Sequence, residues 1–204
     1  FYIAGGQSYT PTDYAVEGDW SAAAMLLVAG AVAGEVTVKN LSMRSKQADV
    51  AVCDALVRAG AELTTEGNTV TAAHRELRGF EFDATNCPDL FPALATLAAA
   101  AEGESRIVGT RRLEHKESNR AEAIRKEFGK IGIEVDLSEP NMMKITGGKI
   151  TGGVEVESYG DHRMAMTLAV AALLSDREIT IKGAECVSKS YPDFFETLSM
   201  LRDA

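Results

Sequence analysis

Asp161-His162-Arg163-Met164-Ala165-Met166-Thr167-Leu168-Ala169-Val170-Ala171-Ala172, entered through Glu157-Ser158-Tyr159-Gly160, reads as a capped and largely apolar helix. Asp161 stands where an N-cap belongs, after a glycine and ahead of the apolar run, so its carboxylate can accept from the free N–H groups of the first turn. His162 and Arg163 then occupy that turn, where the unpaired N–H groups and the helix dipole favour an anion. The planar fork of donors on Arg163 suits a carboxylate or a phosphate. A core helix with a cap and two solvated polar residues is the plain alternative for the same stretch.

The pattern recurs upstream. Asp19 precedes an Ala-rich helix to about Ala33, stopped by Gly34; residues 35–41 alternate as a strand; residues 46–59 have helical spacing and end at Gly60. Two short strands around Glu66-Gly67-Asn68 then read as a hairpin. A second copy follows. Asp89 leads the apolar run 90–101, residues 104–109 read as a strand, residues 116–131 as a helix, and a hairpin turns across Ser138-Glu139-Pro140-Asn141. The third copy runs from Asp161 through a helix to Leu174, a strand at 178–182, and a helix after Ser188-Lys189-Ser190 that reaches the chain end. Asp19, Asp89 and Asp161 recur roughly every 70 residues, as do Lys46, Lys116 and Lys189, which marks an internal repeat. The third copy has no closing strands of its own, so a strand from elsewhere is expected to complete it. At the start, Phe1 to Ala4 reads as a strand ending at Gly5-Gly6, and Ser8 to Asp13 as a connector.

The repeat supplies its own control. An Asp at the start of the first helix in every copy is explained in part by capping, Asp89 included. Charge beyond that separates the copies: Asp19 is followed by Trp20-Ser21 but Asp161 by His162-Arg163, and Lys46 by Gln47-Ala48-Asp49 but Lys116 by Glu117-Ser118-Asn119-Arg120. Internal symmetry places equivalent helix starts at one end of the domain, and charge gathered there reads as a site.

Composition limits the rest. With 204 residues, 46% of them hydrophobic, the chain can bury one sizeable core or two small ones, and a net charge of −9 argues against broad binding to nucleic acid or an anionic membrane. A local cationic pocket for a small anion remains compatible with that charge. Cys53, Cys87 and Cys186 form no CxxC pair and stand apart from the histidines, which fits reduced thiols in a cytoplasmic protein and neither disulfides nor a metal site. No signal peptide or membrane-length apolar run is visible. The chain opens on Phe1-Tyr2-Ile3 without a start methionine and reads as cut from something longer.

Six motifs, in order, resemble the C-terminal part of the 3-phosphoshikimate 1-carboxyvinyltransferases, the EPSP synthase family of enolpyruvyl transferases. They are Gly5-Gly6-Gln7-Ser8-Tyr9, Val16-Glu17-Gly18-Asp19, Ser45-Lys46-Gln47-Ala48-Asp49, Lys116-Glu117-Ser118-Asn119-Arg120, Asp161-His162-Arg163-Met164-Ala165-Met166 and Lys189-Ser190-Tyr191-Pro192-Asp193-Phe194-Phe195. The resemblance implies an α/β fold of three related βαβαββ-type repeats, with buried helices and outer sheets, forming one half of an inside-out α/β barrel. It implies that residues 1–13 are the last strand of a preceding domain and the hinge, and residues 14–204 the C-terminal domain. The implied reaction moves the enolpyruvyl group of phosphoenolpyruvate to the 5-hydroxyl of shikimate 3-phosphate and releases phosphate, through a tetrahedral intermediate and with neither metal nor cofactor.

Residue by residue, Asp89 matches the family's general base, and Asp89 and Lys116 match contacts to shikimate 3-phosphate. Glu117 matches the residue that carries the proton at the vinyl or methyl carbon, with Lys189 as the alternative donor. Lys116, Arg120, Arg163 and Lys189 match the cations on phosphoenolpyruvate, and His162 a supporting hydrogen-bonder. Taken without the resemblance, Lys116 would be a solvated lysine at a helix start, where the dipole disfavours it, and Arg120, Arg163 and Lys189 would be exposed charges. Cys87 reads as a small buried residue. The expected partners are small anionic substrates and the N-terminal domain of the same enzyme, which is expected to be monomeric at full length, with the fragment inactive alone. The alternatives are the relative acting on UDP-N-acetylglucosamine, which the motifs at 116–120 and 161–166 disfavour, an anion-binding module without catalysis, and an RNA-end-processing relative, which the acidic charge disfavours.

Overall fold

The computed structural model describes residues 1–202, and the expected last helix is therefore seen to Arg202, its final two positions lying outside the described residues. The first copy consists of α1 (Trp20–Ala33), β1 (Glu35–Lys39), α2 (Val52–Ala59), β2 (Glu62–Glu66) and β3 (Thr69–Ala73). The second is β4 (Glu81–Asp83), α3 (Phe91–Ala100), β5 (Glu104–Val108), α4 (Arg120–Lys130), β6 (Glu134–Asp136) and β7 (Met142–Thr146), the complete βαβαββ unit. The third is β8 (Val154–Glu157), α5 (His162–Ala172), β9 (Ile179–Lys182) and α6 (Phe194–Arg202).

Each copy contributes one sheet. The first is antiparallel in the order β1-β3-β2; the second has the order β4-β5-β7-β6, with β4 parallel to β5 and the rest antiparallel; in the third β8 runs parallel to β9. The helices α1, α3 and α5 are apolar on nearly every side, and a helix of that kind must be covered all round. They pack on one another inside the sheets, with Trp20, Met25, Leu27, Phe91, Leu94, Leu97, Met164 and Val170 essentially sealed from solvent. A polar group carried into this core finds a partner, Thr96 donating to the carbonyl of Thr167 at 3.3 Å. Gly30 lets α1 lie directly on its sheet, since a Cβ there would stand 2.5 Å from the carbonyl oxygen of Ala72.

Several expectations are corrected. Residues 1–4 form no strand; Phe1, Tyr2 and Ile3 are exposed and have no ladder partner among the described residues, and four residues alone cannot offset the entropy of ordering. The chain first bonds to the body at Val16, whose carbonyl accepts from Asn40, and at Gly18. β1 stops at Lys39 because Asn40 turns into the left-handed region (φ 64°). The helix expected over 46–59 starts late, with a 3-10 turn at Ala48–Ala51 ahead of α2. Gln47 is extended there, and its side chain accepts from the N–H of Trp20 and donates to the carbonyl of Gly18. The helix expected over 116–131 begins only at Arg120, where Asn119 caps it by accepting from the N–H of Glu122, so Lys116 and Glu117 sit in a loop. The strands β4 and β8 were not expected; each is short and lies just ahead of a buried helix. Among the described residues no helix is long and apolar enough to cross a membrane.

Candidate functional site

Helix capping is the role of two of the three aspartates. Asp19 caps α1 by accepting from the N–H of Ser21, and Asp161 caps α5 by accepting from the N–H of Arg163 at 3.0 Å. Asp89 caps nothing: it lies inside a 3-10 turn at Pro88–Leu90, Leu90 takes the cap position of α3, and no side chain caps that helix. Its carboxylate is turned instead to three cations. Lys116 Nζ lies 3.0 Å from Asp89 Oδ1, Arg120 Nη1 donates to the same oxygen at 2.7 Å, and Arg163 Nε is 3.7 Å away. The capping role read for Asp89 is thus overturned, because Asp89 lies inside the turn, whose own cap position falls on Cys87.

Arg120 is the hub. Its side chain has no exposed surface, against the sequence reading of an exposed charge at a helix start. Nε donates to Asp161 Oδ2 at 2.7 Å and Nη2 to Asp161 Oδ1 at 3.3 Å, while Nη2 also donates to Glu117 Oε2 at 2.5 Å. Ser118 adds a bond to Asp161 at 3.1 Å. Burying an arginine is tolerable only when its donors are paired, and here three carboxylates from two copies of the repeat pair them. Burial pushes the carboxyl of Asp161 up, but the bonds from Arg120, Arg163 and Ser118 outweigh it and hold the group below the usual carboxylate value. Asp89 behaves likewise, its burial outweighed by Lys116, Arg163 and Arg120. Both carboxylates are therefore ionised at neutral pH.

The turn ahead of α5 is braced from outside. Tyr159 adopts a left-handed conformation (φ 57°), uncommon for a bulky residue, followed by Gly160 (φ 65°). Its hydroxyl donates to Glu127 Oε1 at 2.5 Å, and Glu127, buried on α4, also accepts from Lys130 and from the N–H of Glu157 at 2.9 Å. Lys189 closes the other side, donating to the carbonyl of Gly160 at 2.7 Å. His162 is 7% exposed and its Nδ1 is buried without a partner among the described residues; burial and the neighbouring Arg163 lower its pKa and favour the neutral ring.

The structure therefore brings Asp89, Lys116, Glu117, Arg120 and Arg163 into one ionic cluster, sets His162 in the same turn, and attaches Lys189 through the backbone of Gly160. In the first copy the equivalent end is quieter, with Ser21 donating to buried Asp49 and Gln47 serving α1. Burial raises the carboxyl of Asp49. The sequence reading missed the second role of Asp161, as partner of Arg120, and missed Glu127. Glu127 follows Ile124 at helical spacing and precedes Phe128 and Ile131, so a carboxylate in the apolar stripe was the available signal. Grooves of 480 and 560 Å³ elsewhere on the molecule include none of the cluster's residues. Among the described residues no group of His, Cys, Asp and Glu is arranged to hold a metal. Cys87 is buried, its thiol pushed up to about 11 by burial and by Asp49 and Asp83.

Buried helices inside three repeated sheets, with paired charges at the helix starts, define a domain of the inside-out α/β class. The family model for EPSP synthase (3-phosphoshikimate 1-carboxyvinyltransferase) matches residues 1–198, and the chain belongs to that family. Among curated relatives, the 3-phosphoshikimate 1-carboxyvinyltransferase of Clostridioides difficile is 41% identical over 201 residues, spanning 98% of this chain and 46% of the relative. The chain thus spans about half the length of the curated relatives it matches. Among solved structures, EPSP synthase from Acinetobacter baumannii superposes with a TM-score of 0.80 at 31% identity, over 91% of this chain and 46% of that one. The enolpyruvyl transferase NikO from Streptomyces tendae shares the fold, with a TM-score of 0.70 at 21% identity, over 91% of this chain and 43% of that one.

Proposed function

We propose that this chain forms the C-terminal half of a transferase that moves the enolpyruvyl group of phosphoenolpyruvate to the 5-hydroxyl of shikimate 3-phosphate and releases phosphate. The observation that carries the reading is the cluster of Asp89, Lys116, Glu117, Arg120 and Arg163, assembled in a chain whose whole matched length follows the family. Residues 1–13 belong to the preceding domain and hinge, and the transferase domain proper runs from residue 14 to residue 204. The complete enzyme acts as a cytoplasmic monomer, without nucleic acid.

The chemistry requires a base for the attacking hydroxyl, a proton for the vinyl carbon, and fixed cations on the carboxylate and phosphate. Asp89, ionised and partly exposed, takes the proton of the 5-hydroxyl, and with Lys116 it orients shikimate 3-phosphate. Glu117 carries the proton at the vinyl carbon, with Lys189 beside the same turn as the alternative. Lys116, Arg120, Arg163 and Lys189 hold phosphoenolpyruvate, and Nδ1 of His162, left without a partner, supports the bound anion. A chain that spans about half of its relatives' length supplies one side of a two-domain site, which neither excludes water nor brings two substrates together, so the chain alone is inactive.

Reconstitution tests this. Residues 1–204 mixed with the first domain of the Clostridioides difficile relative should release phosphate from the two substrates, while neither piece does so alone. Full turnover by residues 1–204 without a second domain, or none with it when both pieces bind, would refute the proposal.

A further inference from the structure

Arg120 poses a problem for any anion: its guanidinium has no exposed surface and every edge faces a carboxylate. We infer that Glu117 is a place-holder, its carboxylate occupying on Nη2 of Arg120 the position that an anionic group of phosphoenolpyruvate takes, so that binding is an exchange of one ion pair for another. The inference rests on the proposed reading of the cluster as the phosphoenolpyruvate site.

Three observations single out Glu117 as the partner that leaves. Asp161 is completely buried, caps α5, and also accepts from Ser118 and twice from Arg120, so its departure would undo a helix start and three further contacts. Asp89 is shared by Lys116, Arg120 and Arg163, and moving it would strip three cations at once. Glu117 is 42% exposed, lies in the loop before α4, and touches the cluster through the single bond to Arg120. Its neighbours hold the loop without it: Lys116 is anchored on Asp89 and Ser118 on Asp161. Charge balance points the same way. Lys116, Arg120 and Arg163 are matched by Asp89, Glu117 and Asp161, which leaves Lys189 on the Gly160 carbonyl as the cation in excess, so an arriving anion carrying more than one charge meets less repulsion if a carboxylate swings out. The exchange never leaves the buried guanidinium unpaired, which is the arrangement that would be prohibitive. It also has an order: the carboxylate proposed to carry the proton is tied to a cation until the anion arrives and is released by that arrival.

Titration calorimetry of phosphoenolpyruvate into the full chain tests the exchange, with wild type compared with Glu117→Gln and Glu117→Ala. A competitor seated about nine-tenths of the time weakens apparent affinity about tenfold, so both variants should bind roughly tenfold more tightly, Glu117→Ala at least as tightly as Glu117→Gln. Glu114→Gln, an exposed carboxylate in the same loop, controls for general electrostatics; in about 0.5 M salt, where the Debye length is roughly 4 Å, it should leave affinity unchanged while the Glu117 effect persists. Unchanged or weaker binding in both Glu117 variants, with binding still weakened at least about tenfold by Arg163→Ala, overturns the place-holder and leaves the anion site standing. Binding absent from every variant overturns both.

Discussion

Replacing Arg120 by methionine removes the fully buried side chain that ties the second copy to Asp161 of the third. Asp161 would lose its bonds to Nε at 2.7 Å and Nη2 at 3.3 Å, keeping the N–H of Arg163 and the hydroxyl of Ser118. Breaking a fully buried pair by deleting one partner costs about 3–5 kcal/mol. For a domain of this size each kcal/mol moves the melting temperature by about 2–4 °C, so a fall on the order of 10 °C is expected at pH 7. Asp161→Asn keeps an oxygen for the cap but no charge, and the two changes together should cost about 2 kcal/mol less than the sum of the single changes, the coupling of a double-mutant cycle. Acid supplies a second readout. In the wild type Asp161 titrates below its ordinary value of 3.8, so its contribution is complete above that value and is lost as pH falls through the lower folded one. Without Arg120, burial prevails and the folded value rises above 3.8, so protonation relieves the stranded charge and the gap between variant and wild type should narrow as pH falls towards 4. Thermal unfolding followed by circular dichroism at pH 7 and pH 4.5 measures both. A loss below about 1 kcal/mol, the same at both pH values, would mean the pair is worth no more than an exposed one and that the junction is not the buried hub described.

Asp89→Asn should lower turnover of the reconstituted enzyme by about 100-fold or more while costing only about 1 kcal/mol of stability, since the carboxylate is part-exposed and caps no helix; retained turnover would exclude it as the base. Arg163→Ala removes a charge-assisted contact worth roughly 1.5–3 kcal/mol and should raise the KM for phosphoenolpyruvate far more than that for shikimate 3-phosphate. Equal weakening toward both substrates in steady-state kinetics would remove Arg163 from the phosphoenolpyruvate site.

Much of the architecture was legible because period and punctuation agree along the chain. The buried helices announce themselves as apolar runs, and Gly34 and Gly60 stop their elements as read, Gly60 in the left-handed conformation (φ 94°). Helix starts were harder. Gln47 and Lys116 both fit a helical pattern, yet tertiary bonds from Gln47 to α1 and from Lys116 to Asp89 hold their segments outside the helix. β4 and β8 escaped because three or four residues carry too little alternation to read, and their pairing with β5 and β9 is a long-range fact. At the site, residue types and positions anticipated which charges the fold gathers at one end of the domain, while the pairing among them was not legible. Nothing local tells that Arg120 is sealed inside or that Asp161 serves two partners, because those bonds span 41 residues.

Helix α4 shows what this pairing means for the repeats. It belongs to the second copy, but its first residue is held by Asp161 and its buried Glu127 by Tyr159 and Glu157, all from the third. A solenoid repeat can be added or removed because each unit meets its neighbours through an apolar face that another copy can cover. Here the seam is ionic and asymmetric, written by residues that differ between copies. The units have become non-interchangeable parts: a copy of the first placed after the second would present Asp19 and Trp20 where Asp161 and His162 stand, with no tyrosine for Glu127. Divergence that equipped one end of the domain with charge has also locked the order of its three units.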